Sequence, residues 1–298
     1  MNSLALLAVV TVLQTAPSPA PPEGLVDDVR KLESAETNDA RFDVLSAMLR
    51  GRNLTFTVEP FTIEKPIGRE PRTEGRNVVV SIGEGTEELV IGAHYDAVRL
   101  PDGTLSKGAV DNAASTVMLV RLAEAVKAEK LPLRLKIVWF DMEELGLVGS
   151  QHYAAAHPAD KPLAMLNFDI NGYGDTVIFG QPQGSAFPAM DRAMGTACVT
   201  EGIDCLRSRM PPGDDRTFGK AGVPTLSIGV LSAIEAHQAW LTFNAGAKSG
   251  LAPGSPLPIM TIIHHAADTI DKVDGATVER QARLAVTLVR AIAAAPPR

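Results

Sequence analysis

Three apolar runs in this sequence end in ionisable residues. ELVIGA leads into His94-Tyr95-Asp96, LKIVWF into Asp141-Met142-Glu143-Glu144, and LAMLNF into Asp169. Two further positions stand out: Asp111-Asn112 at the head of an expected helix, and His264-His265 after PIMTII. A single carboxylate after an apolar run is ordinarily a helix cap or a solvated loop residue. Several at the strand ends of one sheet gather on one edge, where they repel one another unless a cation sits between them.

The ligand types suggest which cation. Imidazole mixed with carboxylate suits zinc, at ligand distances of about 2.0–2.2 Å, whereas calcium prefers oxygen alone. Asp111, Glu144 and Asp169 supply three negative charges and a bound hydroxide a fourth, which balances two divalent ions. Such ions, roughly 3.5–4 Å apart, need a bridging carboxylate. In an extended segment His94 and Asp96 project to the same face, so Asp96 could accept the second ring N–H of His94. A loop aspartate capping something nearby is the ordinary alternative. Glu143 and Glu144 are adjacent and point in different directions, so one can bind a cation while its neighbour moves a proton. An EE pair is common on solvated helices, but this one follows a buried run and precedes LGLVGS.

These residues need a scaffold, and the patterning supplies one. Residues 25–51 read as helix, broken near Asn38-Asp39, and 54–60, 76–82 and 88–93 read as strands. Helix 112–128, strand 133–141, a short helix at 148–157, strands 163–169 and 175–180, helix 185–201, a short helix at 214–220, strand 223–229 and helix 275–295 follow. Strands alternating with helices imply an α/β fold, a mostly parallel sheet with helices on both faces. Such a sheet binds ligands beyond the carboxyl ends of its strands, where the ionisable residues fall.

The bulk numbers narrow the partners. A net charge of −7 argues against nucleic acid, which needs a clustered basic surface. Leu4 to Leu13 is an apolar run of signal-peptide length, too short to span a bilayer, and Ala16, Ser18 and Ala20 offer cleavage points. Residues 1–20 are therefore read as a signal peptide of a secreted or periplasmic protein, although MNS lacks the usual basic residue. A frayed or membrane-tethering N-terminus is the alternative, and no stable membrane insertion is expected. Cys198 and Cys205 would form a disulfide in an exported protein; two unpaired buried thiols are equally compatible with the sequence.

GAHYDAV, GAVDNAAS, DMEELGLVGS, NFDINGYG and HHAADTIDKVD, in this order within 75–275, resemble the co-catalytic dizinc aminopeptidases of metallopeptidase family twenty-eight. That family includes secreted bacterial leucyl aminopeptidases. The resemblance implies a single α/β/α sandwich over 21–298 with a mixed, mostly parallel sheet. It also implies two Zn2+ ions, one held by His94 and Asp169, the other by Glu144 and His264, with Asp111 bridging. Asp96 would support His94, Glu143 would be the general base, the Asp111-Asn112 peptide bond would be cis, and peptides would be the substrates.

The sequence departs from the family pattern in three places. HHAADT replaces the usual HTPxDT; alignment on Asp268-Thr269 selects His264 and leaves His265 as rival. The SDH-like segment appears as Gly213-Asp214-Asp215, and the stretch 233–258 is a candidate lid, specificity loop or surface insertion. His152 and His157 are expected at the surface and His237 in the insertion, with Asp268, Asp271 and Asp274 capping turns and the last helix. A glutaminyl cyclase, a carboxypeptidase or amidohydrolase, and a non-catalytic interaction scaffold share this fold. Arg207, Arg209 and Arg216 are the residues a carboxypeptidase would use to clamp a terminal carboxylate.

Overall fold

The computed structural model describes residues 24–158, 161–181, 188–252 and 256–294. The segment read as a signal peptide lies outside these residues, as do the last residue of the expected helix 275–295 and part of the insertion. Eight strands form one mixed sheet: β1 (Thr57–Thr62), β2 (Glu74–Ile82), β3 (Glu88–His94), β4 (Arg134–Phe140), β5 (Ala164–Phe168), β6 (Thr176–Gln181), β7 (Cys205–Arg209) and β8 (Thr225–Leu231). Their order is β1-β2-β4-β3-β5-β8-β6-β7. The inner four, β4, β3, β5 and β8, run parallel, while β2 and β6 flank them antiparallel.

Parallel strands covered on both faces should be apolar on both, and these are. Leu89, Ile91 and Ala93 of β3, with Leu135, Ile137 and Trp139 of β4, enter the larger core. Val90, Val138 and Phe140 point the other way, into a second cluster with Met165, Tyr153 and Phe218. Each large aliphatic side chain so buried contributes roughly 1.5–3 kcal/mol. The larger core is covered by α1 (Leu25–Glu33), α2 (Asn38–Gly51), α3 (Ala114–Val126), α5 (Pro188–Glu201) and α8 (Gly275–Ala294). The second face carries α4 (Val148–Ala156) and α6 (Asp215–Lys220). Gly149 lets α4 begin against the end of β4, since a Cβ there would lie 2.1 Å from the Asp141 carbonyl oxygen. No described helix is long and apolar enough to cross a membrane.

The structure differs from the sequence reading in three places. The helix expected from residue 112 begins at Ala114, because Asp111 and Asn112 adopt non-helical dihedrals (φ −116°, ψ 86° and φ −141°, ψ 36°) inside a kinked turn, Ala109–Ala113. An unforeseen strand, β7, forms the sheet edge; its CLRSR sequence is too polar to announce itself. Helix α7 (Ala233–Trp240) occupies the segment read as a lid, capped by Ser232, whose side chain accepts from the Glu235 N–H.

Cys198, on α5, and Cys205, at the start of β7, form a disulfide with Cα atoms 6.2 Å apart. It joins the helix end to the edge strand across a short loop. On loop entropy it stabilises the fold by about 2.5 kcal/mol. Urea denaturation of Cys198→Ser/Cys205→Ser should show a loss of that order, and reductant should lower the wild type to the level of the variant. Equal stability with and without reductant would rule the bond out as a contributor.

Candidate metal centre

The carboxyl ends of β3, β4 and β5 deliver the ionisable residues to one edge. His94 is the last residue of β3. Beyond β4 the chain turns through Met142, at φ 56°, into a single short turn, Glu143–Leu145, which presents Glu143 and Glu144. Asp169 directly follows β5, its N–H bound to the Ile228 carbonyl of β8. Asp111 enters from the kinked turn before α3, and the Asp111–Asn112 peptide bond is cis, as the family resemblance implied. His264, at φ 59°, arrives from the segment after the insertion.

Asp111 stands between the two histidines. Its Oδ1 lies 3.1 Å from His94 Nε2, and its Oδ2 lies 3.2 Å from His264 Nε2. On one side Asp169 Oδ1 is 3.4 Å from His94 Nε2. On the other, Glu144 Oε2 is 3.1 Å from His264 Nε2. Donor atoms of His94, Asp111 and Glu144 all lie within 4.8 Å of one another. The arrangement thus has two lobes sharing one carboxylate. His265 is exposed and is not brought into this cluster.

A cation fits the donor set. His94 Nε2, Glu144 Oε1 and Asp169 Oδ1 are buried and make no hydrogen bond. Buried polar atoms left unpaired are costly, and two of these, His94 Nε2 and Asp169 Oδ1, face each other at 3.4 Å. The electrostatics agree. Burial opposes charge on His94, but Glu143 and the contacts to Asp111, Asp169 and Asp96 raise its pKa well above the usual value. Contacts with Asp111 and Glu144 push His264 up to about 11, against desolvation. Burial pushes Asp111 upward, yet His264 and His94 outweigh it and hold the carboxyl well below the usual range. Burial, then the Asp111 charge, raise Glu144 to about 7 despite both histidines. Burial also raises Glu143 well above its usual value, with Asp214, Asp169 and Glu144 adding and His94 opposing. This edge attracts positive charge, whether protons or metal.

Asp96 holds more than His94. Its carboxylate accepts the N–H groups of Glu143 (3.1 Å) and Glu144 (3.3 Å). The nearest acceptor to His94 Nδ1 is the backbone oxygen of Asp96, at 3.2 Å, with the carboxylate at 3.5 Å. Asp96 therefore anchors the EE turn and orients His94 partly through its main chain. Asp141, directly after β4, faces away: Arg72 donates to both its oxygens, at 3.1 and 3.2 Å.

Other supports escaped the sequence reading. Asp268, expected to cap a turn, instead accepts the N–H groups of Val110 (2.7 Å) and Asp111 (3.1 Å). Burial raises it to about 7. Asp274 does cap α8, accepting from Ala276 N–H, and Asp271 stays exposed. Arg41 is wholly buried and donates to the carbonyls of Tyr95, Lys107 and Gly108, joining the loop after β3 to the turn that bears Asp111. Its signal was an arginine on the buried stripe of α2, in register with Leu45, Met48 and Leu49. Gly213 lies against Asp169, where a Cβ would sit 2.8 Å from Asn167 Nδ2. It brings two buried carboxyls alongside, and burial first raises Asp214 and Asp215 each to about 7. Both oxygens of Asp214 lack a hydrogen-bond partner.

The remaining histidines lie outside this cluster. His152 and His157 are half-buried rather than exposed: His152 stacks on Phe61, and His157 pairs with Glu59 at 3.1 Å. His237 is exposed on α7.

Fold and site together define a doubly covered α/β sheet with a histidine–carboxylate cation site at the carboxyl ends of its parallel strands. The chain belongs to Peptidase family M28, whose sequence model matches residues 77–289. It is 30% identical over 133 residues to leucine aminopeptidase 1 of Ajellomyces capsulatus, covering 37% of this chain and 34% of that protein. It is 37% identical over 106 residues to an aminopeptidase of Pseudomonas aeruginosa, covering 34% of this chain and 19% of that one. The matched segments thus span about a third or less of these curated relatives. An aminopeptidase from an Aneurinibacillus species superposes with TM-score 0.70 at 13% identity, over 93% of this chain and 94% of that chain. The glutaminyl cyclase of Porphyromonas gingivalis does so with TM-score 0.71 at 18% identity, over 90% and 97%.

Asp268 supports the site through main-chain N–H groups, those of Val110 and Asp111. Asp268→Ala strands two buried N–H groups, each costing roughly 1–3 kcal/mol. The chelated protein should lose stability on that scale in urea, and zinc uptake should fall although every donor remains. Asp268→Asn, which keeps one acceptor oxygen, should lose less. Unchanged zinc uptake in both variants would mean that Asp111 is held by something else.

Proposed function

We propose that this chain is a zinc-dependent aminopeptidase that removes N-terminal residues from peptides with two zinc ions. The carrying observation is that Asp111 presents one oxygen to His94 and the other to His264, with Asp169 and Glu144 completing the two lobes. His94, Asp169 and Asp111 would hold one ion; His264, Glu144 and Asp111 would hold the other. When bound, zinc supplies Lewis acidity, polarising the scissile carbonyl and lowering the pKa of water.

The chain's own residues do the rest. Glu143 is half-buried and adjacent to Glu144, and its N–H is fixed by Asp96. As general base it takes a proton from the attacking water, and it returns that proton to the departing amine. Its raised pKa suits both halves of that exchange. A carboxylate cluster only partly neutralised by metal is a favourable neighbour for the ammonium, or the coordinating amine, of a free N-terminus. Of the arginines that could clamp a terminal carboxylate, Arg207 pairs with Asp191 and Arg216 is exposed. Arg207 and Arg209 lie on β7, two strands beyond β8. We also infer export to an oxidising compartment, supported by the apolar run Leu4–Leu13 and by the disulfide.

Metal analysis after zinc reconstitution should find two ions per chain, and chelation should abolish hydrolysis of leucyl, alanyl or lysyl anilides. Glu143→Gln should keep both ions and lose roughly 10²–10⁴-fold in kcat, whereas Asp111→Ala should lose metal as well. Absence of zinc from the wild type, or near-normal turnover by Glu143→Gln, would overturn the reading. N-acetylation of the substrates should block turnover. Equal rates on blocked and free substrates would refute the aminopeptidase assignment, and conversion of glutaminyl peptides to pyroglutamyl products would identify a cyclase.

A further inference from the structure

The segment read as a lid is instead built into the site's foundations. Ala236 and Ala239 of α7 are fully buried in a compact apolar cluster with Val110, Ile178, Leu231, Ile259, Ile262 and Ile263. Val110 immediately precedes Asp111 and Ile263 immediately precedes His264. Ile170, which packs against the same cluster, immediately follows Asp169. Three of the donor residues thus emerge from the surface of one small core to which α7 contributes a wall.

Within that wall sits a buried carboxyl, Glu235, 3% exposed. One oxygen accepts the N–H of Ile259 at 2.7 Å, at the start of the short turn Pro258–Thr261 that leads to His264. The other accepts the hydroxyl of Ser232, the cap of α7, at 2.9 Å. Tyr173, four residues after Asp169, hydrogen-bonds Glu235 as well, and burial followed by this contact pushes its hydroxyl up to about 12. A single side chain therefore fastens the His264 approach, the α7 cap and the loop beyond Asp169. Burying a carboxyl is costly unless hydrogen bonds repay it, so its placement at this junction calls for a reason. The side chain of His264 is 49% exposed, so few contacts of its own hold it. Its position depends on the segment behind it.

We propose that Glu235 is a positioning residue for His264 and, through it, for the cation lobe formed by His264, Glu144 and Asp111. Helix α7 and the turn Pro258–Thr261 then serve as a mount for the site. This inference rests on the two-zinc reading above and is tested on zinc binding itself. Wild type, Glu235→Ala and Glu235→Gln, each stripped of metal, are titrated with zinc against a chromophoric chelator, and their thermal midpoints without metal are compared. In Glu235→Ala one zinc equivalent should weaken at least tenfold while the other keeps its affinity. Glu235→Gln should recover part of the loss, because its amide oxygen can still accept the Ile259 N–H. Both equivalents unchanged in Glu235→Ala, or both weakened equally alongside a lowered midpoint, would overturn the inference. If the alanine variant does not fold, Glu235→Gln decides. One acceptor oxygen must then serve the donors that two serve in the wild type, so one equivalent should still weaken selectively, and two unchanged equivalents overturn the proposal. Failure of the wild type to take up two zinc ions would instead sink the two-zinc reading.

Discussion

The constraint on which this structure turns is the mutual repulsion of carboxylates gathered in a partly dry edge. Asp96, Asp111, Glu143, Glu144, Asp169 and Asp214 lie close enough that several shift one another's ionisation. Burial makes each charge more expensive and each neighbour more repulsive. Protons on His94 and His264 relieve part of this, as their raised pKa values show. Yet three donor atoms remain buried and unpaired. A bound cation would answer both deficits, the excess negative charge and the unpaired donor atoms. An edge assembled for stability alone would place apolar side chains there, as the same strands do a few residues earlier.

Holding such groups together requires backbone that does not give way, and much of the polar interior is spent on that. Asp96 grips the two N–H groups of the EE turn, and Asp268 grips those of Val110 and Asp111. Arg41 gathers three carbonyls from the loops on either side. Asn112 donates to the Phe168 carbonyl at the end of β5, and Thr116 to the His94 carbonyl at the end of β3. Apart from those of Arg41, which reaches in from α2, each of these bonds crosses from one donor-bearing element to another. The loops are thereby cross-linked laterally rather than hanging singly from their strands. A rigid, pre-arranged donor set binds a cation without first paying to order itself.

The sequence showed the donors because strand geometry makes them conspicuous: an apolar run that stops at an ionisable residue is easy to see at β3, β4 and β5. It showed the α/β layering for the same reason. It did not show β7, where CLRSR lies at a polar edge, nor α7, whose alanines lie inside a segment that reads as a loop. The roles of Asp268 and Arg41 were hidden for a different reason. Each acts on backbone that is distant in the chain, with Asp268 some 158 residues from Val110. No local pattern encodes such a bond. Arg41 left only the anomaly of a charge on a buried stripe, and Asp268 read equally well as a turn cap. Asp96 was found, but its bonds to the N–H groups of Glu143 and Glu144 were not, because alternation along a strand gives a side chain's face and not the N–H groups that come to meet it.

The backbone at three of the donor loops is itself unusual. Met142, Ile170 and His264 take φ values of 56°, 59° and 59°, in the left-handed region that glycine enters freely and other residues enter at a cost. For a β-branched residue such as Ile170 the cost is of order 1–3 kcal/mol. Glycine would remove it, yet none of the three positions carries glycine. Packing accounts for two of them. Met142 is fully buried, and Ile170 lies against the cluster that also holds Ile263 and α7. A glycine would relax the dihedral but free the loop, losing the side chain that holds it against the core and adding conformations to be lost again on folding. At His264 the strained residue is the donor itself, and the buried Ile262 and Ile263 behind it supply the restraint. The site accepts local strain in exchange for side chains that fix where each loop goes, and its donors are held from behind rather than from in front, which leaves the face of His264 and Asp169 open to solvent.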